Sequence, residues 1–262
     1  MSIPNSTVPD IYIVAQRVFN KNLTAAQGSQ LLVETHGLNE NSVNTYIRNF
    51  EHMVNGERFR RTLNAFSMRY FLDHFITDYG AQILSNALSA LRAHILYIEG
   101  AKHSRNHSMR ALFDEYVLRL PIGYQDEFEQ DEIEEEENST ARTNLIAYLK
   151  NLQKTDDDHI MLNGKSYKRD NKTLWVIKKL RGFSCQICNV TILKRNGTFY
   201  IEAAHIKPRS RNGRETPDNI IVLCPNHHKE FDHGTTEIIS QDLHEVTFTM
   251  NGHHYTANLR IE

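Results

Sequence analysis

CQICNVTILKRNGTFYIEAAHIKPRSRNGRETPDNIIVLCPNHHKEFDH, residues 185–233, is the stretch that decides the fold of the carboxyl-terminal part of the chain. It holds all three cysteines of the protein. A Cys-x2-Cys pair places two thiolates on one tight turn, and a later Cys-x2-His pair completes a tetrahedral zinc site. The predicted ligands are Cys185, Cys188, Cys224 and His227. His205 and His228 remain outside this set, so chemistry is expected beside the zinc-held turn.

The pattern around the two remaining histidines predicts two strands followed by a helix. Residues 198–206 and 220–223 have the composition of strands, and a helix begins within 226–232. His205 ends the first strand, and His228 lies in the first turn or so of the helix. The segment therefore predicts a ββα unit that brings the two histidines together.

Two further turn signals predict hairpins. Asn196-Gly197, between 191–194 and the following strand, has the strongest short hairpin sequence. Asn251-Gly252 predicts a second hairpin over 244–259 near the carboxyl terminus. The apolar spacing over 174–181 predicts a helix that leads into the first cysteine pair.

The first 120 residues have apolar residues at helical spacing, which predicts an almost wholly helical region. Two short helices, 24–35 and 40–50, flank a break at 36–39 and fit a helix-turn-helix. Three-helix packing without DNA contact explains the same pattern nearly as well, so both interpretations stay open. Further helices are expected at about 58–79, 80–99 and 106–119.

A run of acidic residues, QDEFEQDEIEEEEN at 125–138, marks the expected domain boundary. Such a run is most simply a solvated linker or an exposed helix end. The predicted division is a helical domain at 1–125 for DNA recognition or dimerisation, an acidic linker at 126–138, and a carboxyl-terminal domain at 139–262 whose core at 183–234 contains the Cys/His pattern. Within the last, 139–152 is expected to be helical and 154–163 to be a loop.

Three segments resemble the HNH nucleases of the ββα-metal superfamily. They are EAAHIKPRS at 202–210, Asn219 in PDNI, and VLCPNHHKEFDHG at 222–234. The flanking Cys/His pairs are similar to the zinc-stapled branch of that family, which includes many restriction endonucleases. The resemblance covers 183–234, under a quarter of the chain. It implies an α+β protein with a helical N-terminal domain, a small zinc-stapled ββα-metal (HNH) domain and a C-terminal β-hairpin.

The resemblance implies catalytic roles for His205, Asn219 and His228. His205 takes the place of the general base, a task that suits an imidazole. His228 takes the place of the ligand of a catalytic divalent cation, Mg2+ or Mn2+, which acts on the scissile phosphate as a Lewis acid. Asn219 either orients the base or adds a metal contact.

Two departures from the family pattern concern the metal ligands. Many HNH enzymes carry an acidic ligand just before the base histidine, where this chain has Ala204. Asp232 is the better candidate to replace it, because it lies on the helix face of His228. Glu202 and Asn219 are the alternatives. The second departure is His227, which completes a Cys3His site for structural Zn2+. Adjacent side chains on a helix point about 100° apart, so His227 and His228 are expected to bind two different ions.

Cationic residues crowd the loop between the two strands: Lys207, Arg209, Arg211 and Arg214. A solubilising loop would look the same, but beside a nuclease centre phosphate contact is favoured. Lys178, Lys179 and Arg181, before the zinc turn, are expected to help.

A helix-turn-helix would read bases through polar residues of its second helix. Asn44 and Arg48 are the predicted DNA contacts, together with Asn39, Asn41 and Ser42, because Asn and Arg make bidentate contacts to bases. The following cations Arg58, Arg60 and Arg61 would then suit phosphates.

Composition places the chain among ordinary globular proteins. It has 262 residues, a formal net charge of −2 and 40% hydrophobic residues. No early apolar run has the length of a signal peptide or a membrane span. We therefore expect a cytoplasmic protein without membrane contact, whose cysteines are reduced metal ligands.

The resemblance to HNH nucleases implies a divalent-metal-dependent endonuclease for double-stranded DNA. The expected type is a bacterial restriction enzyme, sequence-specific or modification-dependent. One ββα centre cuts one strand, so we expect a homodimer or sequential nicks, with the apolar helices of 58–120 as the dimer face. Two alternatives stay open: a zinc-containing DNA-binding regulator without nuclease activity, and a non-specific or nicking phage-defence HNH nuclease.

Overall fold

The computed structural model describes residues 3–152, 158–162, 164–194 and 197–261. The chain divides into two compact units, Met1–Gln125 and Asp126–Glu262. The fold class is α+β, as predicted: helices build the first unit, and helices with short antiparallel strands build the second. No helix in these ranges is both long and apolar enough to cross a lipid bilayer.

The first unit is built from helices with clear local start and stop signals. Thr24 and Gln27 form a capping box at the start of the second helix, and Gly37 ends it with a φ of 64°. The side chain of Asn39 then caps the third helix by accepting from the Ser42 backbone N–H. The helices are α1 (Val8–Phe19), α2 (Ala25–His36), α3 (Glu40–Asn55), α4 (Ala65–Tyr79), α5 (Ala81–Lys102) and α6 (His107–Val117).

An aromatic cluster fills the core of this unit. Tyr12, Phe50, Phe71 and Phe75 are almost fully buried, and their ring centroids lie 5.1–6.1 Å apart. Edge-on and tilted contacts of this kind add about 0.5–1.5 kcal/mol per pair to the burial of the rings. Phe50 carries α3 into this cluster, and α3 also packs against α1 and α5, so its opposite face is held firmly toward solvent.

The predicted helix at 58–79 starts seven residues later than expected. Helix α4 begins at Ala65 because Asn64 caps it by accepting from the Ser67 backbone N–H at 2.8 Å. The preceding residues are a loop in which Phe59 and Leu63 are buried. Two anchored apolar residues four apart hold this loop against the helices instead of continuing the helix.

The acidic run is not a linker: most of 126–138 lies in helix α7 (Ile122–Glu137). Phe128 and Ile133 of this helix are buried, and Ile133 belongs to the core of the second unit. The linker prediction failed because acidic side chains repel one another in isolation, whereas here they face cations from distant parts of the chain.

Basic partners line α7 along the second unit. Ion pairs join Lys165 to Glu132, Lys168 to Asp126, Lys172 to Glu137 and Lys194 to Asp131. The amide of Gln130 accepts from Lys178, and that of Asn138 accepts from Lys179. Lys178 is so deeply buried that desolvation, with help from Lys194, lowers its pKa to about 8. These contacts compensate the charge of α7 and fix it to its neighbours.

The described residues of the second unit form four two- or three-stranded antiparallel sheets among its helices. After α7 come α8 (Arg142–Asn151), β1 (His159–Leu162), β2 (Lys165–Lys168), α9 (Arg169–Leu180), β3 (Ile192–Leu193), β4 (Phe199–Tyr200), β5 (Glu202–His205), β6 (Ile220–Leu223), α10 (Pro225–His233), β7 (Thr236–Gln241), β8 (Glu245–Met250) and β9 (His253–Asn258). The loop predicted at 154–163 is wrong for 159–162, which is β1. Residues 154–157 and 163 lie outside the described ranges.

The predicted hairpins are present. Strands β3 and β4 pair as expected, although Asn196 of their predicted turn lies outside the described residues. Strands β8 and β9 pair across Asn251 and Gly252, whose positive φ values of 49° and 82° are those of a type I′ turn. Strand β7 adds a third strand to this sheet that the sequence pattern did not predict.

Strand β6 lies at the centre of the second core. All four of its residues are fully buried, and the core around it includes Trp175, Phe231 and Phe248. Helix α10 packs on β5 and β6, which gives the predicted ββα unit. The core therefore supports the strand and the helix that carry His205 and His228.

Candidate active site and metal centre

The four predicted zinc ligands converge. The ligand atoms of Cys185, Cys188, Cys224 and His227 all lie within 4.8 Å of one another. The sulfurs of Cys185 and Cys224 are each 3.4 Å from Nδ1 of His227, and the sulfurs of Cys188 and Cys224 are 3.9 Å apart. A tetrahedral zinc ion with bonds of ~2.0–2.3 Å sets its ligands ~3.5–3.8 Å apart. The cluster can therefore hold a metal ion such as zinc.

Local backbone geometry prepares the Cys185 thiol for metal binding, whereas burial raises the pKa of Cys188. Burial alone would raise the pKa of Cys185, but the backbone N–H groups of Cys224, Cys188 and Ile187, together with His227, lower it to about 6. The thiolate is the form that binds metals. Among the residues that the structure describes, this is the one group of three or more Cys, His, Asp and Glu side chains that converges so closely.

The ββα unit places the remaining histidines on adjoining elements. Strands β5 and β6 pair in antiparallel register, with His205 opposite Ile220 and Glu202 opposite Leu223. The chain then turns at Cys224, the N-cap of α10, and Pro225 starts the helix. The Cys3His group thus includes the point from which α10 departs, one turn before His228.

His228 lies between two carboxylates. Its Nδ1 is 2.6 Å from Oε2 of Glu202 on β5, and its Nε2 is 3.3 Å from Oδ2 of Asp232 one turn along α10. The hydrogen bond with His228 lowers the pKa of Glu202, and a second one from the Tyr200 hydroxyl acts in the same direction against burial. Glu202 is therefore held as a carboxylate whose two oxygens are both engaged.

His205 is paired with a different carboxylate. Its Nε2 is 2.9 Å from Oε1 of Glu215, and both side chains are largely buried, at 19% and 12% exposure. Burial disfavours the charge of Glu215, but the hydrogen bond with His205 and the guanidinium of Arg209 outweigh it and lower the pKa of this carboxyl. A carboxylate accepts only, so Nε2 of His205 donates this hydrogen bond, and in the neutral imidazole Nδ1 is then the nitrogen with the free lone pair.

Asn219 closes the loop between the two strands. Its side-chain oxygen accepts from the Lys207 backbone N–H at 2.8 Å, and its amide donates to the carbonyls of Lys207 and Arg214 at 3.1 and 2.9 Å. Gly213 passes so close that a Cβ there would lie 1.7 Å from the Lys207 carbonyl oxygen. The buried Asn219 thus shapes the loop that presents Glu215 to His205, and its polar partners are backbone groups.

Comparison with known families agrees with this geometry. Residues 185–238 match the family model described as HNH endonuclease. Residues 185–238 form an HNH endonuclease domain. The Type IV methyl-directed restriction enzyme EcoKMcrA of Escherichia coli (strain K12) is 36% identical over 69 residues, which are 25% of this chain and 24% of that enzyme. The matched part thus spans about a quarter of the length of this curated relative. No solved structure matches the chain significantly.

Four cations predicted to contact DNA are exposed on the surface of the HNH domain. They lie on the loop between β5 and β6: Lys207, Arg209, Arg211 and Arg214. Arg209 is engaged in part, because it pairs with Glu215 and lies 3.4 Å from Asp170. The loop therefore offers exposed positive charge directly beside His205.

The three cations before the zinc turn have structural partners instead. Lys178 bonds to Gln130 of α7 and Lys179 to Asn138 just after that helix, and burial of Arg181 lowers its pKa to about 10. The Arg181 guanidinium donates to the carbonyls of Pro217, Ile220 and Leu259. These residues tie separate segments of the second unit together, and phosphate contact by them stays a prediction.

The sequence interpretation missed Glu215 and undervalued Glu202. The structure pairs Glu202 with His228 across the ββα unit, whereas the sequence interpretation preferred Asp232 as the acidic ligand. Glu215 lies in a loop with no regular pattern, so its spacing gave no signal. The one available hint was an acidic residue directly after Arg214, the last cation of the loop.

Proposed function

We propose that this protein is a divalent-metal-dependent endonuclease that hydrolyses phosphodiester bonds of double-stranded DNA in a bacterial restriction system. The observation that carries the proposal is the pair of histidines, His205 and His228, each fixed by a carboxylate on adjoining elements of the HNH domain. The printed name of EcoKMcrA, a methyl-directed restriction enzyme, supports the restriction role.

His205 is the proposed general base. Glu215 accepts a hydrogen bond from its Nε2, which leaves Nδ1 to take the proton of the attacking water. The negative charge of Glu215 also stabilises the imidazolium that forms during proton transfer. Asn219 is the proposed positioning residue, because it holds the loop from which Glu215 reaches His205.

His228 is the proposed ligand of the catalytic cation. Carboxylate oxygen and imidazole nitrogen suit Mg2+ or Mn2+, and Glu202 and His228 already place such atoms 2.6 Å apart. Two neighbouring ligands of an octahedral ion lie ~3 Å apart when the bonds are ~2.1 Å long, so a small movement would suffice. A bound cation would stabilise the charge that develops on the scissile phosphate.

Glu202 and Asp232 compete for the role of acidic ligand. Asp232 was predicted from helical spacing, but it faces the Nε2 edge of His228, whereas Glu202 faces Nδ1 from the strand of the general base. We favour Glu202 as the ligand and Asp232 as the group that orients the ring.

Titration of the full-length protein with Mn2+, followed by electron paramagnetic resonance with zinc retained, separates the two assignments. Glu202→Gln is expected to raise the dissociation constant for Mn2+ about tenfold or more relative to the unaltered protein. Asp232→Asn is expected to raise it less. The reverse order would assign the ligand to Asp232.

The other predicted components complete the proposal. Structural Zn2+ at Cys185, Cys188, Cys224 and His227 would hold the start of α10 in place. The exposed cations of the β5–β6 loop would contact backbone phosphates, and Asn44 and Arg48 on α3 would contact DNA from the helical unit. A cytoplasmic homodimer would allow cleavage of both strands.

Digestion of plasmid DNA tests the proposal. The purified protein is incubated with modified and unmodified plasmids in Mg2+, Mn2+ or EDTA, beside His205→Ala and the control His253→Ala, which changes an exposed histidine of the β8–β9 hairpin. We expect cation-dependent cleavage that His205→Ala abolishes and His253→Ala retains. Absence of cleavage on every substrate, with zinc bound and DNA retained, would favour a DNA-binding regulator. Discrete fragments would indicate sequence or modification specificity, and a smear would indicate a non-specific nuclease.

A further inference from the structure

A cationic cavity of about 500 Å³ lies in the helical unit, between α3 and the loop that leads to α4. We call it the arginine pocket. Its lining includes four arginines and two asparagines that carry the argument: Arg48, Arg58, Arg60, Arg61, Asn41 and Asn44. No carboxylate belongs to this lining within the described part of the chain. The pocket is therefore a concave site of one charge sign.

Helix α3 forms one wall of the arginine pocket. Asn41, Asn44 and Arg48 recur at intervals of three and four residues, so they share one face of the helix. The opposite face, with Val43 and Phe50, is fully buried in the core of the unit. The core thus fixes how α3 presents its polar face.

A buried histidine anchors the loop that forms the other wall. The ring of His94 stacks on Phe59 with 4.2 Å between centroids, and its Nδ1 is 2.8 Å from the Phe59 carbonyl oxygen. Its Nε2 is 2.7 Å from the hydroxyl of Thr62. Burial lowers the pKa of His94, so the neutral ring donates to Phe59 and accepts from Thr62.

The same anchor directs the loop arginines outward. Phe59 and Leu63 are buried, while Arg58, Arg60 and Arg61 are exposed. The amide of buried Asn49 on α3 donates to the Arg61 carbonyl oxygen at 2.8 Å and ties the loop to the helix. The pocket is consequently built before any ligand arrives, which reduces the ordering cost of binding.

The pocket arginines are not neutralised within the unit. Among the described residues no ion pair involves Arg48, Arg58, Arg60 or Arg61, and Arg58 instead lies over the Tyr97 ring at 4.4 Å. Guanidinium groups without carboxylate partners suit phosphates, which they bind through two parallel hydrogen bonds. An uncompensated cluster of four therefore favours a ligand with several phosphates.

We propose that the arginine pocket binds a phosphodiester segment of DNA, with its arginines on backbone phosphates and with Asn41 and Asn44 on adjacent sugar or base atoms. This inference rests on the proposed function, because it assigns the pocket to the DNA that the HNH domain would cut. It differs from insertion of α3 alone as a convex recognition helix, since the loop arginines supply half of the site. The same chemistry would also bind a free nucleotide, so the experiment has an arm for each source.

Fluorescence anisotropy of a fluorescein-labelled 24-base-pair duplex, in EDTA and at a series of KCl concentrations, tests the proposal on the full-length protein. The pocket variant is Arg48→Gln with Arg60→Gln. The matched control is Arg17→Gln with Arg105→Gln, which removes two exposed positive charges from the same unit outside the pocket. Thermal melting of each variant checks that the helical unit is folded.

Each phosphate contact contributes about 0.9 to the slope of log affinity against log salt. We therefore expect the slope to fall by nearly two in the pocket variant and to stay unchanged in the control. A second variant, Asn41→Asp with Asn44→Asp, brings carboxylates to the pocket and is expected to weaken binding at least tenfold. Equal slopes for the pocket variant and the control would overturn the proposal.

Two further readouts separate the possible failures. A thermal shift with millimolar deoxynucleoside monophosphate, lost in the pocket variant while duplex binding is unchanged, would overturn the DNA assignment in favour of a free nucleotide. Plasmid cleavage in Mn2+ tests the HNH domain independently. If the pocket variant retains both cleavage and duplex binding, the proposal for the arginine pocket is overturned and the nuclease proposal is unaffected. If the unaltered protein does not cleave, the nuclease proposal is refuted, but the salt dependence of binding still tests the pocket.

Discussion

Replacement of Glu215 by glutamine should slow DNA cleavage by about a hundredfold. The Glu215 carboxylate lies 2.9 Å from Nε2 of His205, and both groups are mostly shielded from solvent. At that distance and an effective dielectric constant of ~20, a carboxylate stabilises an imidazolium by ~6 kcal/mol. Arg209 faces the same carboxylate and offsets part of this, so about 3 kcal/mol is a reasonable net value, which corresponds to ~10²-fold in rate.

The assay is single-turnover nicking of supercoiled plasmid in Mn2+ at saturating protein, which isolates the cleavage step from binding. Asp170→Asn is the control for the surrounding charges, because Asp170 faces both Arg209 and Glu215 but does not bond to His205. We expect the control to stay within about threefold of the unaltered protein. Zinc content and thermal melting should be the same for both variants.

A Glu215→Gln protein that cleaves within threefold of the unaltered rate would refute the orienting role of this residue. It would mean that His205 keeps its proton-accepting nitrogen free without a carboxylate partner. Equal losses in Glu215→Gln and Asp170→Asn would instead show that the position of Arg209 matters, and the proposed base would need no acidic partner.

Three other changes have clear expected outcomes. Cys188→Ser should lower the bound zinc, measured by atomic absorption, from one ion per chain to well below one, and it should destabilise the HNH domain, because a structural zinc site contributes folding free energy; full retention of zinc would contradict the assigned ligand set. Gly213→Ala should displace the β5–β6 loop, since the new Cβ would meet the Lys207 carbonyl oxygen, and cleavage should fall with little loss of zinc; an unchanged rate would show that the loop adapts. Ile133→Ala should lower the free energy of unfolding of the second unit by about 2–5 kcal/mol in urea, because Ile133 is fully buried; a change below 1 kcal/mol would show that α7 is dispensable for that core.

The metal cluster and the ββα unit were predictable from sequence because their signals are local. Two cysteines on one turn, a cysteine three residues before a histidine and an Asn-Gly hairpin each act over a few residues. The N-cap Thr24 and the terminal Gly37 likewise marked α2 correctly. Where a short segment determines its own conformation, the structure agrees with the expectation.

Other features depended on partners that are distant in sequence. The charge of α7 suggested a solvated linker, and only the lysines that face it, such as Lys165 and Lys172, make a packed helix favourable. Residues 159–162 were expected to be a loop because their sequence lacks the alternation of apolar and polar residues that indicates a strand. They form β1 by pairing with β2. Glu215 reaches His205 through a loop shaped by Asn219, which is a tertiary arrangement that no sequence spacing encodes.

The course of α7 has a practical consequence for dividing the protein into fragments. The acidic composition would suggest a fragment that starts at residue 139. Such a fragment loses the buried Phe128 and Ile133, and the lysines that contact α7 lose their acidic partners. It would expose apolar surface and several lysine ammonium groups without acidic partners. We therefore expect it to aggregate or to bind polyanions non-specifically. DNA binding measured with that fragment would then reflect the surface exposed by truncation and not a binding site of the intact protein. A fragment that begins before Ile122 keeps the whole helix and is the appropriate starting point for studying the HNH domain in isolation.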